Sequence, residues 1–164
     1  NSKDERGPHR KSYLRFDLSR LSGKQIETAE LSLRFVPTGW GLASHVDDSE
    51  FVVYGITSDQ YDEWPDMPMT WTTAPANDIS NGTALLPGTA KVLGHFKLPR
   101  GIQSGTFGIR GEKLASFLNE DRNRIATLVV VRATMENRGG GLVHAFASSR
   151  HPVLPAPSLS VKLK

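Results

Sequence analysis

The sequence predicts an all-β fold, an antiparallel β-sandwich of the jelly-roll type with one short helix. Short runs of alternating apolar and polar residues recur along the 164 residues, which is the period of strands with one buried face. Glycine- and proline-rich turns separate these runs, and helices do not alternate with strands, so an antiparallel sandwich is favoured. Only residues 112–121 have helical spacing, with Leu114, Phe117 and Leu118 on one face.

The clearest strand is predicted at residues 12–19, where Leu14, Phe16 and Leu18 alternate with polar residues. Further strands are predicted at 29–35, 51–56, 69–73, 90–98, 106–110, 125–134, 142–148 and 158–163. Residues 1–10, which include Gly7-Pro8, are predicted to form a loop, and residues 76–88 a long irregular connection. The turns between strands therefore account for most of the glycine and proline.

The length and composition fit one folded domain over residues 1–164. Hydrophobic residues make up 38% and charged residues 23% of the chain, as in ordinary globular domains. No apolar run approaches the roughly 20 residues that span a bilayer, and the absence of cysteine excludes disulfides and thiolate metal sites. Because Asn1 is not a natural start, we expect the domain to be a fragment of a larger multidomain protein.

The charges are unevenly distributed. No Lys or Arg occurs between Phe35 and Ala90, and the acidic residues of that stretch are Asp47, Asp48, Glu50, Asp59, Asp62, Glu63, Asp66 and Asp78. Such a division predicts one cationic and one anionic region, or simply solvated faces. Although the pI is about 9.3, no helix-turn-helix, RNP-type motif or basic helix is present, so no nucleic-acid partner is expected.

The sequence contains no recognisable catalytic motif. There is no Gly-x-Ser-x-Gly nucleophile elbow, and the five histidines do not have metal-ligand spacing. We therefore expect no catalytic cofactor. Binding of a structural Ca²⁺ ion is left as an alternative, because four residues carry the oxygen ligands that this ion prefers. These residues are Asp47, Asp48, Asn77 and Asp78.

The polar face of the strand at 12–19 offers an aromatic ring, a guanidinium and a carboxylate in a row, from Tyr13, Arg15 and Asp17. Such a face is either a solvated surface or a platform for a polar ligand. With Arg34 and His144, Tyr13 and Arg15 could form the base and cations of a polysaccharide lyase. The same set equally suits binding of an anionic sugar, because bidentate contacts between arginine and carboxylate need no proton transfer.

The tryptophans are interpreted by position. Trp64 and Trp71 lie among proline and methionine, which is typical of packing residues. Trp40 stands between two glycines in a predicted open loop, where it could stack on a ligand.

Several stretches, taken in order along the chain, resemble a known family. Residues 10–19, Arg-Lys-Ser-Tyr-Leu-Arg-Phe-Asp-Leu-Ser, resemble the RkaYLrFDLS signature of DNRLRE-type domains. Further matches to that family lie at 26–33, 51–57, 62–64, 70–71, 74–78, 146–151 and 157–159. Two departures are that family members usually have one or two more strands before the signature, and that His151 follows Arg150 where they carry glutamate.

The resemblance implies an extracellular β-sandwich, secreted or at the cell surface and chiefly bacterial, linked to polysaccharide-degrading or surface domains. DNRLRE-type domains are in turn similar to an alginate-binding family of carbohydrate-binding modules. We therefore predict a non-catalytic carbohydrate-binding module for an acidic polysaccharide, either uronate or sulfated. Its predicted binding residues are Tyr13, Arg15, Arg34, Trp40, Arg132 and His144. The alternatives are a structural or adhesive module of an extracellular protein and a polysaccharide lyase.

Within this prediction the six residues have different roles. Arg15 and Arg34 would clamp a carboxylate or sulfate group, whereas Tyr13 and Trp40 would stack against sugar rings. Arg132 and His144 are expected on neighbouring strands as additional contacts.

Overall fold

Two antiparallel sheets pack face to face in the computed structural model, which describes residues 2–4, 7–38, 48–65, 69–134 and 144–164. This confirms the predicted all-β sandwich with a single short helix. Within those residues the strands are β1 (Ser2–Asp4), β2 (Gly7–His9), β3 (Lys11–Asp17), β4 (Ile26–Val36), β5 (Ser49–Ile56), β6 (Ala90–Leu98), β7 (Thr106–Gly111), β8 (Ile125–Arg132), β9 (Ala145–Phe146) and β10 (Ser158–Leu163). The helix is α1 (Glu112–Glu120), and two 3₁₀ turns span Ser19–Leu21 and Asp59–Tyr61.

The first sheet, sheet A, has the strand order β3-β8-β5-β6. Strand β3 pairs along its whole length with β8, from Lys11 opposite Val131 to Asp17 opposite Ile125. Among the described residues β3 has no strand partner on its other side, so it is an edge strand. The second sheet, sheet B, has the order β10-β4-β7, with β9 pairing to the end of β4. Strands β1 and β2 form a separate pair.

The main hydrophobic core lies between the sheets. Leu14 and Phe16 of β3 point into it from sheet A, and Leu31 and Leu33 of β4 point into it from sheet B. Helix α1 closes one side of this core with its buried face of Leu114, Ala115, Phe117 and Leu118. Burying each large apolar side chain contributes about 1.5–3 kcal/mol, so this layer provides much of the stability of the fold.

The outer face of sheet A is also covered. Val129 and Val131 point away from the main core, and yet their side chains are 0% and 1% exposed. They pack against Ala76 and Leu85 in a second hydrophobic cluster. These two residues belong to the long connection between β5 and β6, residues 57–89 without the undescribed 66–68, which we call the outer segment. The centre of sheet A, at β8, is therefore buried on both faces.

Some element predictions need correction. Residues 69–73 form a turn and not a strand, because Thr73 and Ala74 donate their backbone N–H groups to the carbonyl oxygen of Thr70 at 3.3 and 3.0 Å. Part of the segment predicted as an N-terminal loop forms the paired strands β1 and β2. Of the strand predicted at 142–148, only Ala145–Phe146 pairs, and residues 142–143 lie outside the described part.

The remaining predicted strands and the helix are confirmed to within a few residues. Across the part of the chain that the structure describes, no helix is both long and apolar enough to cross a membrane.

Candidate ligand-binding cleft

The polar face of β3 lies beneath the outer segment. Arg15 donates a hydrogen bond from Nη1 to the carbonyl oxygen of Trp64 at 2.7 Å and to that of Asp62 at 3.2 Å. Its guanidinium carbon lies 4.8 Å from the centroid of the Trp64 ring, within the range of a cation–π contact. Arg15 therefore holds the first part of the outer segment against sheet A.

Lys11, at the other end of the same face, holds the later part of the outer segment. Its ammonium donates to Asn77 Oδ1 at 2.6 Å, to the carbonyl oxygen of Asn81 at 3.1 Å and to that of Ala84. It also lies 4.6 Å from the centroid of the Trp71 ring. Burial lowers the pKa of Lys11 to about 8, and the negative charge of Asp78 opposes that shift.

Tyr13, between these two cations, is a packing residue at this face. Its ring meets Trp64 edge to face at 6.2 Å and contacts the second hydrophobic cluster. The phenol oxygen is buried and has no hydrogen-bond partner among the described residues, and burial raises its pKa. The expectation of an open platform is therefore corrected for Tyr13, whose ring a segment distant in sequence covers, whereas the side chain of Arg15 stays exposed.

A cleft of about 810 Å³ runs along the edge strand β3. Residues from both faces of β3, Lys11 through Phe16, line it, which is expected of a cleft that follows the edge of a strand. The buried Phe51 and Val130 and the half-buried Phe146 form apolar parts of its lining, and Ser148, Ser149 and Arg150 also line it. The volume falls within the roughly 300–1,000 Å³ typical of ligand sites.

The lining of the cleft is strongly cationic. It includes five Arg or Lys residues, and no Asp or Glu occurs among its described residues. The five are Arg10, Lys11, Arg15, Arg132 and Arg150. Arg132 is the last residue of β8, and Arg10 directly precedes β3, whose first residue is opposite Val131. These two arginines therefore lie at the same end of the two strands. Cationic side chains gathered in one cleft favour anionic ligands.

Four of the six predicted binding residues line this cleft, namely Tyr13, Arg15, Arg132 and His144. The ring of His144 lies 5.6 Å from that of Phe51 and 6.4 Å from that of Phe35, so an apolar wall holds it.

The other two predicted residues do not lie in the cleft as described. Arg34 pairs with Thr106 in sheet B, where the adjacent Leu33 and Phe35 face the core. Its side chain is therefore on the outer face of sheet B, whereas that of Arg15 is on the outer face of sheet A. The structure does not form the predicted clamp between Arg15 and Arg34. Trp40 lies outside the described residues.

Sequence reasoning missed Arg10, Lys11 and Arg150 as lining residues. Arg10 and Lys11 immediately precede the alternating part of β3, so their position beside the signature strand was the available signal. Arg150 follows Ser148 and Ser149 in the closing motif, and only the tertiary fold brings that motif to β3.

The residues named for a structural Ca²⁺ ion have other partners. Asn77 Oδ1 accepts from the Lys11 ammonium, and the Asp78 carboxylate accepts from the N–H and hydroxyl of Ser80 at 2.9 and 2.6 Å. Asp48 Oδ1 accepts from the backbone N–H of Arg100 at 3.3 Å, and Asp47 lies outside the described residues. An ammonium beside Asn77 disfavours a second cation at that residue.

Comparison with known proteins adds no family. No protein-family model matches the chain, and no curated protein sequence matches it at a significant level. The resemblance to DNRLRE-type domains therefore stays a prediction from the motifs quoted above.

Proposed function

We propose that this chain is a non-catalytic module that binds an acidic polysaccharide, either uronate or sulfated, in the cleft along β3. The cationic lining of that cleft is the observation that supports the proposal. Planar guanidinium groups make bidentate contacts with carboxylate and sulfate oxygens, and four of the five cations in the lining are arginines.

The apolar part of the lining fits the same ligand class. Phe16 and Phe146 are half-buried and line the cleft, so the C–H faces of sugar rings can pack against them while the arginines contact the charged groups. Because the cleft follows an edge strand of seven residues, it extends for about 20 Å at roughly 3.3 Å per residue. A groove of this shape suits a segment of an extended chain.

The position of Tyr13 argues against the lyase alternative. A base in such a reaction must reach the proton that it removes and must titrate near the working pH. The hydroxyl of Tyr13 is buried, and burial moves its pKa upward, away from that range. Tyr13 is therefore a poor candidate for the base of such a reaction.

The proposal extends to the setting of the domain. The resemblance to DNRLRE-type and alginate-binding modules, on the motifs at 10–19 and 146–151, supports a secreted or cell-surface protein with covalently linked neighbouring domains. The second candidate, a structural or adhesive module without its own ligand, predicts no glycan binding at all.

Affinity electrophoresis and calorimetry against alginate, fucoidan, porphyran and a neutral glucan test the proposal. We expect retention by at least one acidic polymer, no retention by the neutral glucan, and weaker binding as salt rises. Absence of retention on every acidic polymer would reject the binding function in favour of the structural module. Ultraviolet absorbance from unsaturated products would instead identify a lyase.

A further inference from the structure

The cleft along β3 reaches the space between the two sheets. Some of its lining residues belong to the main core or pack against it, and we call them the inner part of the cleft. They are Leu14, Phe16, Leu33, Phe51, Val130 and Phe146. Leu33, Phe51 and Val130 are only 1%, 5% and 4% exposed, whereas the other three are half-buried. The cleft therefore leads from the surface to the core at the β3 edge of the sandwich.

Both sheets contribute to the inner part. Leu33 of β4 and Phe146 of β9 come from sheet B, and the other members come from β3, β5 and β8 of sheet A. All of these side chains lack hydrogen-bonding atoms. An alkyl chain gives up no hydrogen bond on entering such a place, whereas a sugar hydroxyl at the depth of Leu33 would exchange water for apolar neighbours. The inner part therefore suits an alkyl chain better than a sugar ring.

Arg132 places a cation at the end of this apolar region. It follows Val130 by two residues on β8, so the two side chains lie on the same face of sheet A. It is also paired with Phe51 of β5, and it is half-buried. The ring of His144 lies 5.6 Å from that of Phe51 at the same end. The inner part thus adjoins the cationic lining of the cleft, in which no Asp or Glu is described.

We propose that the inner part of the cleft binds the alkyl chain of a fatty acid, whose carboxylate contacts Arg132. An apolar lining with a guanidinium at one end matches a single-chain anionic amphiphile, because the tail leaves water while the head group keeps a charged partner. The cleft, at about 810 Å³, has the size of a small-molecule site. This binding site shares the cleft with the proposed polysaccharide, but it does not rest on that function.

Calorimetry of the whole chain with hexanoate, octanoate and decanoate, each below its micellar concentration, tests the contribution of the alkyl chain. The Kd should fall about 15-fold for each step of two CH₂ groups, until the inner part is filled. Decyltrimethylammonium, which has a chain of similar length and the opposite charge, should bind at least about tenfold more weakly than decanoate. Arg132→Gln should abolish that preference for the anion.

Leu14→Trp tests the location, because the larger indole would occupy the inner part. It should weaken the binding of decanoate at least about tenfold. Leu159→Trp is the matched control, since Leu159 is also half-buried and packs against the main core but is absent from the described lining of the cleft. It should bind decanoate as the parent does. Circular dichroism shows whether each variant is folded, and if Leu14→Trp is not, the comparisons on the parent chain decide.

The proposal is overturned if decanoate does not bind, if the Kd is independent of chain length, or if the anion and the ammonium bind alike. Equal losses in Leu14→Trp and Leu159→Trp would also overturn it, because binding would then not depend on the inner part. Retention of an acidic polysaccharide without binding of decanoate would reject this site alone. Binding of decanoate without retention of any acidic polysaccharide would support this site and reject the proposed polysaccharide function.

Discussion

Arg15 contacts both the ring and the backbone of Trp64. Its guanidinium carbon is 4.8 Å from the ring centroid, and its Nη1 donates to the carbonyl oxygen of the same residue at 2.7 Å. A single side chain of β3 thus fixes the position and the orientation of the outer segment at that point. Since Trp64 also lines the cleft, this contact shapes one wall of the proposed binding site.

Replacing Arg15 tests how much this contact stabilises the fold. Arg15→Ala should lower the free energy of unfolding by about 1–3 kcal/mol, because charge-assisted hydrogen bonds to two carbonyls and a cation–π contact are lost. Arg15→Lys should recover only part of the loss, since an ammonium lacks the planar fork of a guanidinium. Urea unfolding measures all three chains.

Arg20 supplies the control for that series, because it is exposed in the 3₁₀ turn after β3. Arg20→Ala should change the free energy of unfolding by less than about 0.5 kcal/mol. An Arg15→Ala effect as small as this would contradict the anchoring role.

Lys11 should make the stability depend on pH in the alkaline range. Burial lowers its pKa from 10.5 to about 8, so between those values the unfolded chain holds a proton that the folded chain has released. Because the unfolded state then binds more protons, stability rises with pH across that window. This contribution to the slope should disappear in Lys11→Met, in which nothing titrates at position 11.

Urea unfolding of both chains at several pH values from 7.5 to 10.5 measures the difference. The stability of the parent chain should increase relative to that of Lys11→Met as the pH rises. Parallel curves for the two proteins would show that Lys11 has the same affinity for protons in both states.

Tyr13, unlike Arg15 and Lys11, has a polar group whose removal should not destabilise the fold. Its hydroxyl is buried without a partner among the described residues, so the folded protein gains nothing from it. Tyr13→Phe should therefore be neutral, or should stabilise the fold by about 1 kcal/mol, whereas Tyr13→Ala should cost about 3–5 kcal/mol through the cavity it leaves. Thermal and urea unfolding decide this, and a clear loss of stability in Tyr13→Phe would reveal a partner for the hydroxyl.

Strand β3 shows which contacts the sequence can predict and which it cannot. Its alternation correctly predicts that Leu14 and Phe16 face the main core, and the neighbours of Trp64 and Trp71 correctly indicate packing residues. The sequence does not show that these tryptophans pack onto Arg15 and Lys11. Those contacts join residues 49 and 60 positions apart, and local periodicity carries no information about such pairs.

Local periodicity likewise does not show which residues line the cleft. Arg132 and His144 were expected on strands near β3, and the structure places Arg132 on the adjacent strand β8 and His144 just before β9. Arg34 lies on an alternating strand of the same appearance, but that strand belongs to the other sheet. Which strand joins which sheet depends on long-range pairing, so the sequence could not separate Arg34 from the residues that line the cleft.

This separation supplies the sharpest test of the proposed binding site. Arg132 lines the cleft, whereas Arg34 is on the outer face of sheet B and is absent from the lining. Arg132→Ala should weaken binding of the acidic polysaccharide about 10- to 150-fold, since a charge-assisted contact contributes about 1.5–3 kcal/mol. Arg34→Ala removes the same charge from the chain, and it should bind as the parent does.

Calorimetry at low and moderate salt compares the three proteins, after circular dichroism has shown that each is folded. The salt dependence should also be shallower in Arg132→Ala, because fewer ionic contacts are screened. Equal losses in the two variants would mean that net charge alone attracts the polymer, and the cleft would then not be its binding site.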